Sequence, residues 1–451
     1  MHLERDFKWI LGLIKTGIEL EEAVKIILSH TNPLCETKSV DVKRICGRIC
    51  AQDILSPLDL PPFNKSPLDG YAFRASDSIG ASQKNPVTLK VIESIFAGEW
   101  TPKCILPGTA VRLMTGAPIP NKANCVIRQE EVQEEIEAQE EVYKKNGQVR
   151  IFRELSEYEN FCHKGEDIAV GEVIVKTGEC LNYIHAGILS GVGLNSIRVY
   201  RKPRVLLLET GDELIKTEFT RNKFNELNRN ESDEFGGRGT EYRNSSLGKI
   251  YNINGALLSA RLKELGVQVI HMGICEDSSK VIAKKISDES HKGDFMITTG
   301  GVSVGRKDLI PEVLKNFLEA DVLFHGIKIK PGSPVMFSVY NNLPILSLSG
   351  NPLAAIITME LLMRPALAVL SHNKKLDICC TSGVLENNFP KYSPVRRFVY
   401  AIKKYDRVHI TEASHSYGSL NNTKDCNCLV DIPAKSPPLQ AGEKVRIVEV
   451  I

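Results

Sequence analysis

The sequence predicts a multidomain α/β protein with β-rich segments on either side of its α/β part. Three observations carry that prediction. The chain has 451 residues, too many for one compact core. From about residue 204 to 370, strand-length apolar runs alternate with helical patterns, as in a sheet with helices on both faces. Residues 86–152 and 377–451 instead show short alternating runs broken by turn residues.

Composition narrows the functional classes. Hydrophobic residues make up 42% and charged residues 25%, as in ordinary globular proteins. The 57 basic and 55 acidic residues leave a net charge of +2, which argues against nucleic-acid or anionic-membrane binding. No run reaches the roughly 18 apolar residues of a membrane span. The apolar patch near the start is flanked by acids and lacks a small-residue cleavage site, so a mature cytoplasmic chain is expected. None of the twelve cysteines forms a CxxC pair, so they read as small apolar residues in reduced form.

The elements follow in order. Residues 20–30 form an amphipathic helix, with Ala23, Ile26 and Ile27 on one side. A second helix is expected over 40–51. Residues 56–71, SPLDLPPFNKSPLDGY, hold four prolines and are either a connector or a functional loop. Strands are expected at 87–91, 110–114, 125–132 and 148–152. Seven glutamates within 130–141 read as a solvated face. GEDIAVGEVIV gives a turn and a strand, and 182–192 a helix with Ile184, Ile188 and Leu189 on its apolar side. The β-rich unit is thus inserted between helical segments.

The α/β part opens with a strand at 205–209, followed by Asp212 and Glu213. Residues 217–249 are polar and read as a mobile insertion. A helix at 251–266 stops at Gly266, a strand covers 267–272, and Glu276 and Asp277 follow. Ser278 is placed to cap a helix over 278–288. Next comes DFMITTGGVSVGRKDLIP: a buried strand, then Gly300, Gly301 and Gly305, then a helix over 307–320 with Asp308 just inside it. A strand breaking into glycines before a helix aims backbone N–H groups and a helix dipole at one spot. Thr299 and Ser303 add hydroxyls there. Extended segments at 322–330 and 335–339 are parted by Pro331, Gly332, Ser333 and Pro334. A strand at 345–348 ends in SGNP, and the nearly all-apolar helix over 353–370 should be buried. The last segment is a small antiparallel barrel or sandwich.

Alternation implies parallel strands, and ligands of such sheets lie beyond the strands' carboxyl ends. Four polar or glycine-rich clusters fall there: Asp212 with Glu213, Glu276 with Asp277, residues 300–308, and Gly350 with Asn351. They offer the carboxylates Glu213, Asp277 and Asp308, backbone donors, and Lys330 as a cation. No histidine follows these strands, and GxSxG and GxxxxGK[ST] are both absent, so neither a hydrolase triad nor a Walker loop is indicated. Carboxylates beside an anion cradle suit Mg²⁺, with chemistry at a phosphate ester or anhydride.

At these residues the sequence resembles the MoeA family, the molybdopterin molybdenumtransferases. Eight stretches carry the likeness: PPFNKSPLDGYAFR, MTGAPIPNKANCVIRQEEV, KGEDIAVGEVI, ETGDELI, GKIYNINGALL, TTGGVSVGRKD, KIKPGSPVMF and SGNPLAA. The resemblance implies an elongated homodimer of four-domain subunits. These are a helical stem (1–55 and 156–202), an inserted β domain (56–155), a molybdopterin-binding α/β domain (203–375) and a C-terminal β barrel (376–451). It implies that adenylylated molybdopterin and molybdate give molybdenum cofactor and AMP with Mg²⁺, and it suggests a molybdopterin adenylyltransferase as donor. By motif, Asp69 and Thr115 would reach across the dimer, and Asp167 matches another acidic position. Glu213, Asp277 and Asp308 would hold metal or orient the phosphoanhydride, with Gly300, Gly301, Ser303 and Gly305 cradling phosphate. Lys330, Pro331, Gly332 and Pro334 would bind pterin phosphate or molybdate, with Arg396 and Ser419 on the molybdate side.

The chain departs from the family pattern at Glu209 (usually serine), Ser349 (proline) and Ser333 (often lysine). It also has Phe161, Cys162, His163 and Lys164 in place of an arginine-rich turn. A nucleotide-pyrophosphate hydrolase or adenylyltransferase on the same α/β fold is the first rival reading. A non-catalytic scaffold is the second.

Overall fold

The computed structural model describes residues 14–135, 147–215, 249–302, 308–411 and 420–450. All of the expected 217–249 insertion except its last residue lies outside these, as do Ser303, Gly305 and Ser419. Contacts divide the chain into two compact units. One comprises Met1–Lys38, Gly47–Ile49 and Val199–Ile451; the other comprises Ser39–Cys46 and Cys50–Arg198. The segments expected as α/β domain and barrel fall together in the first unit.

The larger unit is built on a seven-stranded sheet. Its strands are β1 (Lys15–Ile18), β2 (Arg204–Thr210), β3 (Gln268–Cys275), β4 (Phe295–Thr299) and β5 (Asp321–Ile327). After the short β6 (Ile329–Lys330), which belongs to another sheet, come β7 (Met336–Tyr340) and β8 (Leu343–Leu348). The order across the sheet is β1-β5-β7-β8-β4-β2-β3. All these strands point the same way except β7, which pairs antiparallel with both neighbours. The sheet is therefore mixed, within the expectation of a parallel or mixed sheet, and the reversal has a local reason. Asn341 and Asn342 adopt φ of 50° and 64°, the left-handed pair that closes a two-residue hairpin.

Alternate residues of β2 supply two cores. Val205 and Leu207 pack with α1 (Leu20–Ser29), α2 (Ile253–Glu264) and α4, which runs over Pro352–Ser371. Leu206 and Leu208 pack with α3 (Ser279–Glu289) on the other face. Each such leucine, fully buried, contributes about 1.5–3 kcal/mol, so the middle of the sheet is a fixed floor and variation is left to its loops. Ser278 caps α3 by position only, since its side chain makes no capping bond. The helix expected over 307–320 is shorter than its pattern. It is one α turn at Ile310–Glu312 passing into a π turn at Val313–Phe317. Pro311 has no N–H to donate and suits a first turn, so Asp308 precedes the helix rather than lying inside it.

The helix α4 is long and apolar enough to cross a membrane, yet 89% of that stretch is buried inside the protein. Within it, a π turn at Met359–Met363 carries Glu360 into the core. Arg261 Nε donates to Glu360 Oε1 at 2.6 Å, and Arg364 donates to Glu360 Oε2 at 3.1 Å. Arg364 also reaches the Glu449 carbonyl at 2.8 Å.

The C-terminal strands are β9 (Cys380–Leu385), β10 (Arg396–Lys404), β11 (Arg407–Ile410), β12 (Cys428–Ile432) and β13 (Lys444–Glu449). They run β10-β11-β9-β13-β12, and β12 pairs back to β10, closing a five-stranded barrel rather than a sandwich. The barrel keeps its own core of residues such as Phe389, Val430 and Ile447. Its Phe398, Tyr400, Leu429 and Val448 join the cluster around α4, which is why barrel and α/β layer form one unit.

The smaller unit holds a six-stranded sheet. In order its strands are Cys125–Arg128, Gly70–Phe73, Thr109–Leu113, Val87–Ile95, Gln148–Ile151 and Val132–Glu135. Two of the glutamates described there form surface ion pairs, Glu131 with Arg153 at 2.7 Å and Glu135 with Arg150 at 2.6 Å. The helix Tyr183–Gly191 is capped by Asn182 but buries only Leu189; Ile184 is exposed, against expectation. No helix forms over 40–51. The segment is a strand, Thr37–Asp41, followed by a single 3₁₀ turn, Val42–Arg44. The Asp41 carboxylate takes the Lys43 N–H at 2.8 Å, and Gly47 at φ 72° prevents the turn from propagating. All twelve cysteines are free thiols.

Candidate active site

The adjacent parallel strands β8, β4, β2 and β3 end on one edge, so the four clusters picked out in the sequence are neighbours there. Hydrogen bonds stitch the loops together. Asp277 N–H donates to Asp212 Oδ1 at 3.0 Å, and Asp212 N–H donates to Asp277 Oδ2 at 3.4 Å. Two carboxylates from different loops are therefore held side by side. The Glu213 carboxylate lies over Gly211, where a side-chain Cβ would come within 2.7 Å of both its oxygens. Gly300 and Gly301 take φ of 95° and 59°, and a Cβ on Gly300 would strike the Thr210 carbonyl. Glycine is thus required at 300 by both conformation and space.

The glycine turn is spent differently from expectation. Gly300 N–H donates to the Leu348 carbonyl at 3.2 Å, and the Gly301 carbonyl accepts from Ile310 N–H at 3.0 Å. The Thr299 hydroxyl, expected to face an anion, lies 3.3 Å from the Ser349 carbonyl and accepts from Asn254 Nδ2 at 2.7 Å. Asn254 Nδ2 also reaches the Gly350 carbonyl at 2.9 Å. This buried asparagine, in the first turn of α2, clamps the β4 and β8 loops together. No strand-end rule points to it, because it sits on a helix after the polar insertion. Asp212, placed by the sequence in the rim but not among its metal-binding carboxylates, is the residue that pairs with Asp277.

The 331–334 turn closes the rim beyond β8. Since β5 runs parallel to β8, its carboxyl end lies on the same edge, and Lys330 follows at the end of β6. Gly332, at φ 103°, sits so close to α4 that a Cβ would strike the Thr358 methyl. Arg396, by contrast, is committed to the fold. It makes two 2.8 Å hydrogen bonds to Asp431 and one of 2.6 Å to Glu21. Its hydrogen bonds to Asp431, outweighing burial, hold its pKa far above the usual guanidinium range.

In the smaller unit, Asp69 Oδ1 accepts from the Thr115 hydroxyl at 2.7 Å and from Thr115 N–H at 2.6 Å. Those two donors, the hydroxyl first, hold the Asp69 carboxyl below the usual range, so it is fixed as an anion. Asp167 is exposed on a neighbouring turn, its N–H bonded to the Leu60 carbonyl at 3.1 Å.

Glu209 behaves unlike the other acids. It is buried at 2% exposure, and loss of water pushes its pKa up to about 7 despite the hydrogen bond from Asn252. Among the described residues, no group of three histidines, cysteines or acids is placed to hold a metal alone. The paired Asp212 and Asp277, with Glu213 beside them, fit Mg²⁺ only as a site completed by phosphate oxygens, which is how this ion is usually held.

An open sheet with its polar loops gathered at the strands' carboxyl ends places the chain among the α/β enzymes that bind charged small molecules there. Comparison with known proteins narrows this. Residues 18–193 match the family described as MoeA N-terminal region (domain I and II), and residues 207–369 match a probable molybdopterin binding domain. A Bacillus subtilis (strain 168) protein named molybdopterin molybdenumtransferase is 31% identical over 438 residues, covering 96% of this chain and 94% of its own. A protein of the same name from a Staphylococcus epidermidis strain is 31% identical, with 96% of each chain covered. The solved molybdopterin biosynthesis MoeA protein from Pyrococcus horikosii superposes with a TM-score of 0.74 at 30% identity, covering 96% of this chain and 99% of its own. The chain belongs to the MoeA family of molybdopterin molybdenumtransferases.

Proposed function

We propose that the protein completes molybdenum cofactor biosynthesis by inserting molybdate into adenylylated molybdopterin, releasing AMP. The observation that carries this reading is the reciprocal Asp212–Asp277 pair, with Glu213 and the Gly300 turn on adjacent strand ends. A bare glycine turn beside paired acids leaves room for a diphosphate accompanied by a divalent cation, and poorly suits an anion without one. Glu213, Asp277 and Asp308 would hold Mg²⁺ together with the diphosphate. Bound there, the ion would neutralise charge on the phosphoanhydride as it breaks.

The chain's own residues do the positioning. Gly300 and Gly301 shape the phosphate side, the family resemblance adds Ser303 and Gly305 to it, and Asn254 keeps the two glycine-bearing loops in register. Lys330, Pro331, Gly332 and Pro334 bind the molybdate or pterin phosphate oxygens, a role that the family resemblance also gives Ser419. Arg396 holds the barrel wall behind them through Asp431 rather than touching substrate. Asp69, Thr115 and Asp167 act from the second subunit of a homodimer, a role carried by the family resemblance. The reaction belongs to a cytoplasmic pathway, in which a molybdopterin adenylyltransferase is the natural donor. Purified protein incubated with adenylylated molybdopterin, Mg²⁺ and molybdate should release AMP and lose that release on omission of molybdate. AMP formation indifferent to molybdate would point instead to a pyrophosphate hydrolase.

A further inference from the structure

A groove of about 770 Å³ opens beside the rim, along the outer edge strand β3. Its polar end is Glu209 with Asn252, and its walls are the apolar Leu214, Met272, Ile274 and Val281. The groove exists because β3 bulges: its register with β2 slips between Leu207 and Leu208, and Gly273 takes φ 84°. Its mouth is bordered by Gly211, Asp212 and Glu276, the start of the carboxylate rim.

The charges say what the groove can hold. Glu209, Asp212 and Glu276 line it as acids, against the single cation Lys285. Lys285 is already paired to Glu289 at 2.8 Å. His271 is engaged with the Ser259 hydroxyl at 3.0 Å, and burial keeps the Cys275 thiol protonated by raising its pKa. A phosphate would be repelled, whereas a flat ring carrying N–H donors would find apolar walls and the buried Glu209 carboxyl as acceptor. The size suits such a ring, since small-molecule pockets run to roughly 300–1,000 Å³.

We propose that this groove receives a planar amino-heterocycle of the substrate, and that Glu209 and Asn252 read its polar edge, an exocyclic amine beside a ring nitrogen. The inference rests on the proposed reaction, whose substrate offers two such rings, a pterin and an adenine, at the ends of one diphosphate. Glu209, which departs from the serine that the family resemblance implies, sets the polar character of this wall. A carboxyl there accepts from an amine, where a shorter hydroxyl would leave the groove's end unfilled. Asn252 orients it: Asn252 Oδ1 is tied to Gly255 N–H at 2.9 Å, leaving the amide nitrogen directed at Glu209.

The test is calorimetric binding to the full-length protein of AMP, of 6-hydroxymethylpterin and of inorganic diphosphate, each in the presence of Mg²⁺. Wild type is compared with Glu209→Ser and with Val281→Trp, which fills the groove from a position already 40% exposed and so should fold normally. One of the two ring ligands should bind wild type and weaken at least tenfold in both variants, while diphosphate affinity stays within twofold. Which ring responds identifies the end of the substrate that occupies the groove. Unchanged affinity for both rings in Val281→Trp overturns the proposal, as does an equal loss for ring and diphosphate. Loss of ring binding in a protein that never forms AMP supports the groove while defeating the proposed reaction. Normal AMP formation with ring binding untouched defeats the groove alone.

Discussion

Glu209 makes the energetics of the rim measurable through pH. Its pKa is near 4.5 when unfolded and is pushed up to about 7 by burial in the fold. The folded state therefore holds a proton that the unfolded chain gives up. The sign follows: the stabilising contribution is complete below about 4.5 and is lost as pH rises through about 7. The gap corresponds to roughly 3 kcal/mol, of which about 2.5 kcal/mol falls between pH 5 and 8. Glu209→Gln keeps the shape and removes the titration. Denaturant unfolding of both proteins at pH 5 and pH 8 isolates the effect, since every other titrating group cancels in the comparison. The variant should gain on wild type by about 2–3 kcal/mol across that interval. Parallel pH dependences for the two proteins would refute the placement of this carboxyl out of water.

Three further outcomes are expected. Gly300→Ala should lower stability by about 1–3 kcal/mol from backbone strain alone, with the Thr210 collision added, in thermal unfolding. Gly350→Ala, whose Cβ would meet Gly300 Cα at 3.7 Å, should be tolerated, and equal losses would contradict the geometry of the turn. Glu360→Gln leaves Arg261 and Arg364 without their buried counter-charge, so unfolding should be easier by roughly 3–5 kcal/mol; a loss below 1 kcal/mol would mean water already serves those arginines. Heterodimers carrying Asp69→Ala in one subunit and Glu213→Ala in the other should recover up to half the activity lost in either homodimer, and no recovery would exclude sharing between subunits.

The strand pattern carried most of the architecture into view. Val205, Leu207 and Ile297 have no periodicity that a helix would need, and the acids and glycines fall just past the last apolar residue of each strand. That placement makes a common rim legible in the sequence itself. What escaped notice depends on geometry that sequence spacing does not encode. The antiparallel β7 turns on two asparagines whose positive φ reverses the chain, although no glycine marks the turn. Asn254 clamps two loops from 45 and 96 residues away, and no local signal announces it. Arg396 looked like an anion ligand by motif, yet Asp431 and Glu21 take up its guanidinium. In the sequence Glu209 stands out only as a departure from the family pattern. Its raised pKa comes from burial at a strand end, which composition cannot reveal.

The central claim is that acids from separate loops act jointly on one metal–diphosphate complex. Mn²⁺ titration followed by electron paramagnetic resonance, with ADP as the diphosphate, tests it most directly. Wild type should bind Mn²⁺ only when ADP is present, and Glu213→Gln, Asp277→Asn and Asp308→Asn should each weaken that binding at least tenfold. Three variants that take up Mn²⁺ as tightly as wild type would show that these carboxylates do not share a site.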